Sequence, residues 1–304
     1  MFMAEKILIT GATGLIGSKL VALCKENNIP VNYFTTRKEK IANQPDYQGF
    51  YWNPEKSVID NKAFDGVTAI VNLVGASISN RWTEKYKQII VDSRVKSMEL
   101  IYDTLQGIDH NIGHFISASG INIYPSSQGK LYTEEDDEVA DSFLGEVVSA
   151  WEDAAIAFKD LGMDVARVRT GMVLSLEDGA LPKLMKPIKL GVGAPLGSGE
   201  QWQSWIHIED IAGIYFFLLK NRLEGIYNAV ADPVSNKKMT KLIALRLGKP
   251  LWMPKVPAFA LKLVLGEMST LVLEGQLVSS RKIKKVGYPF KFYNIEAALN
   301  DLLK

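Results

Sequence analysis

Residues that bind metals or cross-link chains are scarce in this sequence: among 304 residues, Cys24 is the one cysteine and His110, His114 and His207 are the three histidines. A single cysteine cannot form a disulfide within the chain, which favours a reducing, cytoplasmic setting. With one cysteine and three histidines as candidate ligands, we expect no metal centre. We interpret Cys24, in an apolar segment, as a small buried hydrophobe.

An excess of charge of one sign is also missing, because 35 basic side chains are balanced by 34 acidic ones. A chain with this balance creates no overall field that would attract nucleic acid or an anionic membrane. The longest apolar run, near residues 211–219, is too short to span a bilayer. We therefore expect a small-molecule ligand, and neither a nucleic-acid nor a membrane partner.

What the sequence does contain is a regular alternation of short apolar runs with longer stretches at helical spacing. The hydrophobic fraction of 47% is sufficient for a sizeable core. Buried strands are predicted at residues 6–10, 31–35, 68–74, 114–117 and 164–169, and helices at about 18–25, 91–105 and 142–161. This alternation is typical of βαβ units and predicts an α/β fold with a Rossmann-type, doubly wound parallel sheet.

The pattern changes after Gly171, where a glycine-rich stretch over 191–199 precedes a return to strand and helix character at 206–219. Shorter segments separated by prolines follow. We predict a Rossmann domain formed by residues 1–175 and 205–232. Residues 176–204 and 233–304 are expected to form a smaller, mostly C-terminal lobe that binds the substrate.

A glycine-rich loop joins the first predicted strand to the first helix, and it reads Thr-Gly-Ala-Thr-Gly-Leu-Ile-Gly over residues 10–17. Gly11 permits a tight turn, Gly14 lets the backbone approach a pyrophosphate, and Gly17 lets the helix pack on the strand. The alternative is an ordinary βα turn, but the flanking strand and helix favour an anion site at the helix N-terminus. The residues expected to bind the cofactor here are Gly11, Thr13, Gly14, Leu15, Ile16 and Gly17.

The end of the second strand indicates which dinucleotide binds. NAD sites carry a carboxylate there for the ribose 2′-hydroxyl. This sequence has Thr-Thr-Arg-Lys over residues 35–38, with no carboxylate before Glu39. A guanidinium at Arg37 suits a 2′-phosphate. NADP(H) is therefore the expected cofactor and NAD(H) the second choice, although a solvated surface turn would also explain Arg37.

Several further motifs accompany the glycine loop. They are Asn72–Gly75, Arg81–Trp82, Ser93–Arg94, Ser117–Tyr124, Phe143 with Trp151–Glu152, Arg169–Gly171, Gly197–Gly199 and Trp205–Ile208 with Asp210. Together they resemble the atypical, epimerase-like branch of the extended short-chain dehydrogenase/reductase (SDR) superfamily, within the NAD-dependent epimerase/dehydratase family, over nearly the whole chain. Some members of this branch carry a cell-division-inhibitor-like label.

The resemblance also implies roles for particular residues. Leu73, Val74 and Gly75 would line the adenine and ribose side of the cofactor, and Ser93 would approach it from the next helix. Ser117, Arg169 and Gly171 are expected on the cofactor side as well. Members of the superfamily dimerise in many cases, so we expect a monomer or a homodimer.

The usual SDR catalytic pair, Tyr-x-x-x-Lys, is missing: none of the eleven tyrosines has a lysine four positions later. Phe143 and Val147 stand where the resemblance places that pair, and neither can transfer a proton. Ser119 matches the family's catalytic serine. Tyr124 is the candidate surrogate acid, with the alternative that it only packs over the cofactor.

Four residues are candidates for contact with substrate, namely Arg81, Trp82, Gln201 and Trp205. For Trp82, a place in the core is the favoured alternative. The sequence thus favours an NADP(H)-dependent oxidoreductase or epimerase that acts on a small molecule, with a sugar-like compound as one option. A protein that binds NADPH without turnover and reports its level is the second hypothesis, and a scaffold with a vestigial site is the third.

Overall fold

The computed structural model describes residues 6–304, and a large twisted sheet forms its centre. The strands are β1 (Ile7–Thr10), β2 (Val31–Thr35), β3 (Asn43–Gln44), β4 (Tyr47–Asn53), β5 (Val58–Ile59), β6 (Ala69–Asn72), β7 (His114–Gly120), β8 (Leu131–Tyr132), β9 (Asp164–Thr170), β10 (Met172–Leu174), β11 (Trp202–Gln203), β12 (Trp205–His207), β13 (Gly225–Ala229), β14 (Val234–Ser235) and β15 (Leu277–Val278). The helices are α1 (Leu15–Glu26), α2 (Glu84–Gln106), α3 (Phe143–Ile156), α4 (Ala180–Lys189), α5 (Ile208–Asn221), α6 (Asn236–Arg246), α7 (Ala258–Leu265), α8 (Thr270–Leu273), α9 (Arg281–Lys285) and α10 (Ile295–Leu302).

The main sheet has parallel strands in the order β4-β2-β1-β6-β7-β9-β13, with β3 and β5 paired antiparallel to β4. The direction of strand addition reverses between β1 and β6. Thr10 pairs with Phe34 on one side and with Asn72 on the other, so the loops after β1, β2 and β6 begin side by side. In open parallel sheets, ligands bind at such a switch point, outside the carboxyl ends of the strands.

The predicted α/β fold with a doubly wound parallel sheet is confirmed. Each predicted strand occurs within a few residues of its expected bounds, whereas β4 and β13 were not expected. The helix expected over 142–161 is α3 followed by a 3-10 turn over Ala157–Leu161, and it ends at Gly162, whose φ of 75° favours glycine. Residues 1–5, which the predicted Rossmann domain includes, lie outside the described residues.

Two apolar cores organise the chain. The larger core lies on both faces of the main sheet. The second core brings β10 and β12 together with α4, α6 and α10, and its largest member is Trp205, which is fully buried. Because Leu174 and Trp205 belong to this second core, the structure packs the ends of the predicted Rossmann segments against the C-terminal part. The assignment of the two parts to cofactor and substrate remains a prediction.

Three sequence expectations, on membrane spans, metal sites and Cys24, can be compared with the described residues. Within residues 6–304, no helix is long and apolar enough to cross a bilayer. In the same part of the chain, no three His, Cys, Asp or Glu side chains are grouped as they would be around a metal ion. Cys24 is buried, and burial raises the pKa of its thiol to about 12, so it packs as a hydrophobe.

Candidate functional site

The glycine loop forms a cradle at the start of α1. Gly11 has a φ of +71°, which glycine adopts readily, and its carbonyl accepts a hydrogen bond from the Gly14 amide at 2.9 Å. A Cβ on Gly17 would overlap that carbonyl and lie 2.8 Å from the Ala12 Cα. The first turn of α1 contains no acidic residue. The backbone therefore leaves the amides at this N-terminus accessible to an anion.

The loop that follows β6 is held by hydrogen bonds from neighbouring elements. The Thr10 hydroxyl donates to Asn72 Oδ1 at 2.6 Å and accepts from the Leu73 and Val74 amides at 3.1 and 3.2 Å. The Ser93 hydroxyl accepts from the Ala76 amide at 2.9 Å. Ser93 therefore holds the loop in place from α2, and it does not line the cleft described next.

One large cleft, with a volume of about 1800 Å³, runs from the glycine loop to the C-terminal segments. The predicted site residues that line it are Gly11, Gly14, Leu15, Ile16, Gly17, Leu73, Gly75, Trp82, Ser119 and Gly171. The remaining predicted residues are described but do not line it: Thr13, Arg37, Val74, Arg81, Ser93, Ser117, Tyr124, Arg169, Gln201 and Trp205. The structure thus brings Ser119 together with the glycine loop and separates both from most of the predicted substrate residues.

Ser119 lies at the end of β7, where it reaches the cleft on one side and a buried ion pair on the other. Its hydroxyl donates to Glu152 Oε1 at 2.6 Å. Glu152 also accepts from Arg169, through Nε at 2.7 Å and Nη2 at 2.9 Å, and from Arg167 Nη1 at 3.2 Å. A serine on the cleft is therefore hydrogen-bonded to a carboxylate on α3 that two arginines on β9 hold in place.

Burial alone would raise the pKa of Glu152. The hydrogen bonds and charge of Arg169, the Ser119 hydroxyl and the charge of Arg167 outweigh burial and hold that pKa below its ordinary value. The same pair raises the pKa of Arg169 against its own burial. Glu152 is therefore a carboxylate at neutral pH and can accept a proton only weakly.

Tyr124 does not lie where a surrogate acid would have to lie. It is fully buried, and its hydroxyl accepts from Arg169 Nη1 at 2.7 Å. The same hydroxyl is 2.9 Å from both the Thr133 carbonyl oxygen and Asn228 Oδ1, one of which accepts its proton. Burial raises its pKa. The structure does not support the expected role of Tyr124 as a proton donor to the cleft, because its hydroxyl is bonded within the protein.

Two of the predicted substrate residues stabilise the fold instead. Gln201 is buried, and its amide nitrogen donates to the carbonyls of Leu196 and Val272 at 3.0 and 2.7 Å. The Trp205 indole donates to the Asp232 carbonyl at 2.8 Å, within the second core. The Gln201 amide nitrogen and the Trp205 indole thus bond to the backbone, and the Gln201 amide oxygen accepts from the Ser198 hydroxyl. Neither side chain is therefore available to a ligand in the cleft.

The other two substrate candidates differ in position. Trp82 lines the cleft, and its ring packs edge-on against Phe143 with centroids 5.2 Å apart. Arg81 is exposed and does not line the cleft. Phe143 and Val147, which replace the usual tyrosine and lysine, do line it. The cleft wall that α3 forms is therefore apolar at the two positions where SDR enzymes carry a proton-transfer pair.

Arg37 and Arg169, both expected beside the cofactor, have different surroundings. Arg37 is exposed just beyond β2, and no carboxylate within residues 6–304 pairs with it. Arg169 is buried and bonded to Glu152, so it is a structural residue rather than a cofactor contact. Ser117 is likewise buried, and its hydroxyl donates to the Ala118 carbonyl at 3.0 Å.

Comparison with known proteins agrees with this geometry. Residues 7–229 match the family described as NAD dependent epimerase/dehydratase. The chain belongs to this family. The epimerase-like, extended SDR identity expected from the sequence is thereby confirmed, and residues 256–302 match a domain of unknown function (DUF1731).

Individual relatives are similar over the full length of this epimerase-family chain. The epimerase family protein SA0724 of Staphylococcus aureus (strain N315) is 36% identical, with 99% of each chain covered. The crystal structure of human epimerase family protein SDR39U1 (isoform 2) with NADPH is 26% identical with a TM-score of 0.84, and covers 98% of this chain and 99% of its own. A nucleoside-diphosphate sugar epimerase from Corynebacterium glutamicum is 28% identical with a TM-score of 0.78, over 98% of this chain and 58% of its own.

Some features of the site in this epimerase-family chain were not predicted. Arg94 lines the cleft, where it stacks on Trp151 with its Cζ 4.7 Å from the ring centroid, and burial lowers its pKa to about 10. Glu152 was included in the sequence motifs only as part of Trp151–Glu152, and no ion pair was predicted for it. Its neighbours Ser119 and Arg169 are far from it in sequence, so no local spacing could have indicated the ion pair. Helices α7 and α8 also line the cleft. The sequence placed them in the C-terminal lobe but did not predict that they contact the cleft.

Proposed function

We propose that this protein is an NADP(H)-dependent oxidoreductase or epimerase that interconverts a carbonyl and an alcohol on a small molecule. The observation that carries this proposal is the position of Ser119, which lines the same cleft as the glycine loop and lies at the carboxyl end of β7. Ligands of open parallel sheets bind at this edge. A hydroxyl there can contact a reacting oxygen.

The residues present fit a dinucleotide. A Cβ at Gly17 would fill the space in which the loop and α1 meet, so the cradle depends on glycine at that position. Gly11, Gly14 and the first turn of α1 would hold the pyrophosphate. Arg37, exposed and without a carboxylate partner in the described chain, would bind a 2′-phosphate. The NADPH in the human structure supports the same cofactor, with NAD(H) as second choice.

The bound nicotinamide would supply or accept the hydride. The Ser119 hydroxyl, which donates to Glu152 at 2.6 Å, would accept a hydrogen bond from the substrate hydroxyl and so position it for hydride transfer. Water in the cleft would take up the substrate's proton during oxidation and return it during reduction, because Glu152 is held as a carboxylate of lowered pKa. This arrangement requires neither tyrosine nor lysine on α3.

Replacing Arg37 with alanine is expected to weaken NADPH binding by about 10- to 100-fold, because hydrogen bonds to charged groups contribute about 1.5–3 kcal/mol. Affinity for NADH should be unchanged, since it lacks the 2′-phosphate. Nucleotide fluorescence titration measures both. Arg246→Ala on α6 removes the same charge from an exposed position and serves as the control. An unchanged preference for NADPH in Arg37→Ala would remove the cofactor assignment.

The Ser119→Ala variant is expected to bind NADPH as the wild type does, yet to turn over about 100-fold more slowly, the usual effect of losing one acid-base or oxyanion group. The measurement is NADPH oxidation with whichever carbonyl compound the wild type reduces. Ser119→Thr keeps the hydroxyl and should recover part of the rate. Equal rates for wild type and Ser119→Ala would show that the chemistry does not involve this serine.

A second function, NADPH binding without turnover, is favoured by one observation. Phe143 and Val147 line the cleft at the positions of the usual catalytic pair, and neither transfers protons. The protein would then report NADPH levels through a partner. Tight NADPH binding with no oxidation across a broad panel of carbonyl compounds would favour this function over the oxidoreductase.

A further inference from the structure

The cleft is apolar at the end remote from the glycine loop. Its wall there comes from α4, the loop after α4, α7, α8 and the segment between α7 and α8. The apolar side chains of this wall are Leu184, Ile188, Leu196, Leu261, Leu265, Met268, Leu271 and Val272. Across the cleft, the wall is formed by the Trp82 and Phe143 rings. Polar side chains also line the cleft, among them Gln203, Asn236, Thr240 and Gln276, so a ligand at this end would contact hydrocarbon for the larger part but not wholly.

The basic residues that line the cleft in the described chain are Lys87, Arg94 and Lys183. Lys87 pairs with Glu267 and lies 3.3 Å from Glu84. Arg94 donates to the carbonyls of Ile90 and Ala76 at 2.9 and 3.2 Å and stacks on Trp151. Lys87 cannot bind a diphosphate without giving up these contacts, and the one donor nitrogen of Arg94 without a partner, Nε, is fully buried.

Lys183 lies near the cofactor end of the cleft. It is in the first turn of α4, directly after Gly179, and a Cβ on that glycine would be 3.7 Å from the Leu15 side chain of the glycine loop. An ion pair of 2.8 Å between Lys19 and Glu177 joins the same two segments. Lys183 is therefore placed to contact a cofactor phosphate. Since Lys183 lies at the cofactor end, none of the three basic residues is available to a ligand at the apolar end.

The carboxylates that line the cleft also disfavour the binding of a diphosphate. They belong to Glu84, Asp141, Glu146, Glu267 and Glu274. A nucleoside diphosphate carries two or more negative charges and is normally bound by arginine or lysine, in many cases through bidentate hydrogen bonds. At the apolar end of this cleft it would be desolvated beside hydrocarbon with no available cation to compensate. The cleft carboxylates that are not paired with Lys87, those of Asp141, Glu146 and Glu274, would also repel it.

We propose that the substrate is an uncharged, largely apolar alcohol or carbonyl compound and not a nucleotide sugar. This assignment rests on the proposed function, because it names the substrate class of the same cleft. The reactive oxygen would lie at Ser119, and the hydrocarbon part would extend between Phe143 and α7. This substrate class differs from the sugar-like option that the sequence left open.

The test uses the full-length protein and begins with NADPH titration, which examines the proposed function alone. The NADP+ complex is then titrated calorimetrically with the linear alcohols from n-butanol to n-decanol, and separately with UDP-glucose and UDP. Each buried methylene contributes about 0.8 kcal/mol, so affinity should rise about three- to fourfold per carbon. UDP-glucose and UDP should show no saturable binding beside NADP+.

Two variants on one helix locate the binding. Leu265→Glu places a carboxylate in the cleft and should weaken n-decanol binding at least tenfold. Leu263→Glu is the matched control, because Leu263 is 85% exposed, does not line the cleft and should leave the affinity unchanged. Loss of binding in Leu263→Glu instead would mean that decanol binds the outer surface of α7, and would overturn the proposal.

Two other outcomes would also overturn it. One is UDP-glucose binding more tightly than n-decanol, and the other is an alcohol affinity independent of chain length. If NADPH does not bind, the proposed function fails separately. The alcohol series on the protein without nucleotide then still decides whether the cleft is apolar.

Discussion

Replacing Glu152 with glutamine is expected to lower the free energy of unfolding by about 3–5 kcal/mol, the usual effect of removing one partner from a buried ion pair. Glu152 and Arg169 are 2.7 Å apart with side chains only 6% and 7% exposed. The variant leaves the Arg169 charge buried without its carboxylate, and Arg167 loses the same partner. Urea unfolding followed by tryptophan fluorescence, together with Tm, measures the effect.

Asp164→Asn is the matched control for this variant. Asp164 and Arg222 are also 2.7 Å apart, but their side chains are 41% and 39% exposed. Exposed pairs contribute about 0–1 kcal/mol, so the control should lose at most that amount. Similar losses in the two variants would show that burial does not determine the strength of the Glu152 pair.

The pH dependence gives a second readout of the same pair. The folded-state pKa of Glu152 is lowered from its ordinary value of 4.5, so the stability it contributes is fully present above that pH and is lost as pH falls through the lower, folded value. The difference in stability between wild type and Glu152→Gln should therefore be constant near neutrality and shrink below about pH 4.5. A difference that grows on acidification would contradict the lowered pKa.

Gly17→Ala is expected to weaken NADPH binding by about 10- to 100-fold, since overpacking at a close contact costs about 1–3 kcal/mol and here would displace the phosphate loop. The added Cβ would overlap the Gly11 carbonyl, which already accepts the Gly14 amide. Loop and helix would have to separate. Nucleotide fluorescence titration measures the affinity, and circular dichroism shows whether the fold persists.

Gly129→Ala is the control for this variant, because nothing lies within 4 Å of a Cβ built at that position. Its NADPH affinity and stability should equal those of the wild type. Alanine also favours helices over glycine by up to about 1 kcal/mol. A gain in stability with unchanged NADPH affinity in Gly17→Ala would therefore show that α1 has room for the methyl group and that the cradle does not depend on glycine.

The local features of the fold and of the cofactor site could be predicted from the sequence. Glycines 11, 14 and 17 occur within one βα turn. Because the turn requires glycine at fixed positions of its own backbone, the spacing of the glycines in the sequence is enough to predict it. The helix end at Gly162 was predictable for the same reason. The strands were indicated by short apolar runs of aliphatic residues, but β4 was not, because its residues are mostly half-buried and its short aromatic run at 50–52 follows Gln48 and Gly49.

Side chains that act through distant partners could not be predicted. Tyr124 looked available because it follows Ser119 closely, yet its hydroxyl is bonded to Arg169 and to Asn228 or Thr133. Gln201 looked like a substrate residue because it lies beside glycines, yet its amide joins two backbone segments. In both, the role depends on which residues the fold brings within hydrogen-bond distance.

By itself, the sequence determined that a dinucleotide-type glycine loop lies on a parallel α/β sheet and that the usual Tyr-Lys pair is missing. Both follow from residues close together in the chain, whose spacing sets helix, strand and turn geometry. Only the tertiary structure decided that Ser119 is bonded to Glu152, that Tyr124 is sealed inside the protein, and that the far end of the cleft is apolar. Those results depend on contacts between residues far apart in sequence, where burial and electrostatics, rather than local pattern, determine what each side chain can do.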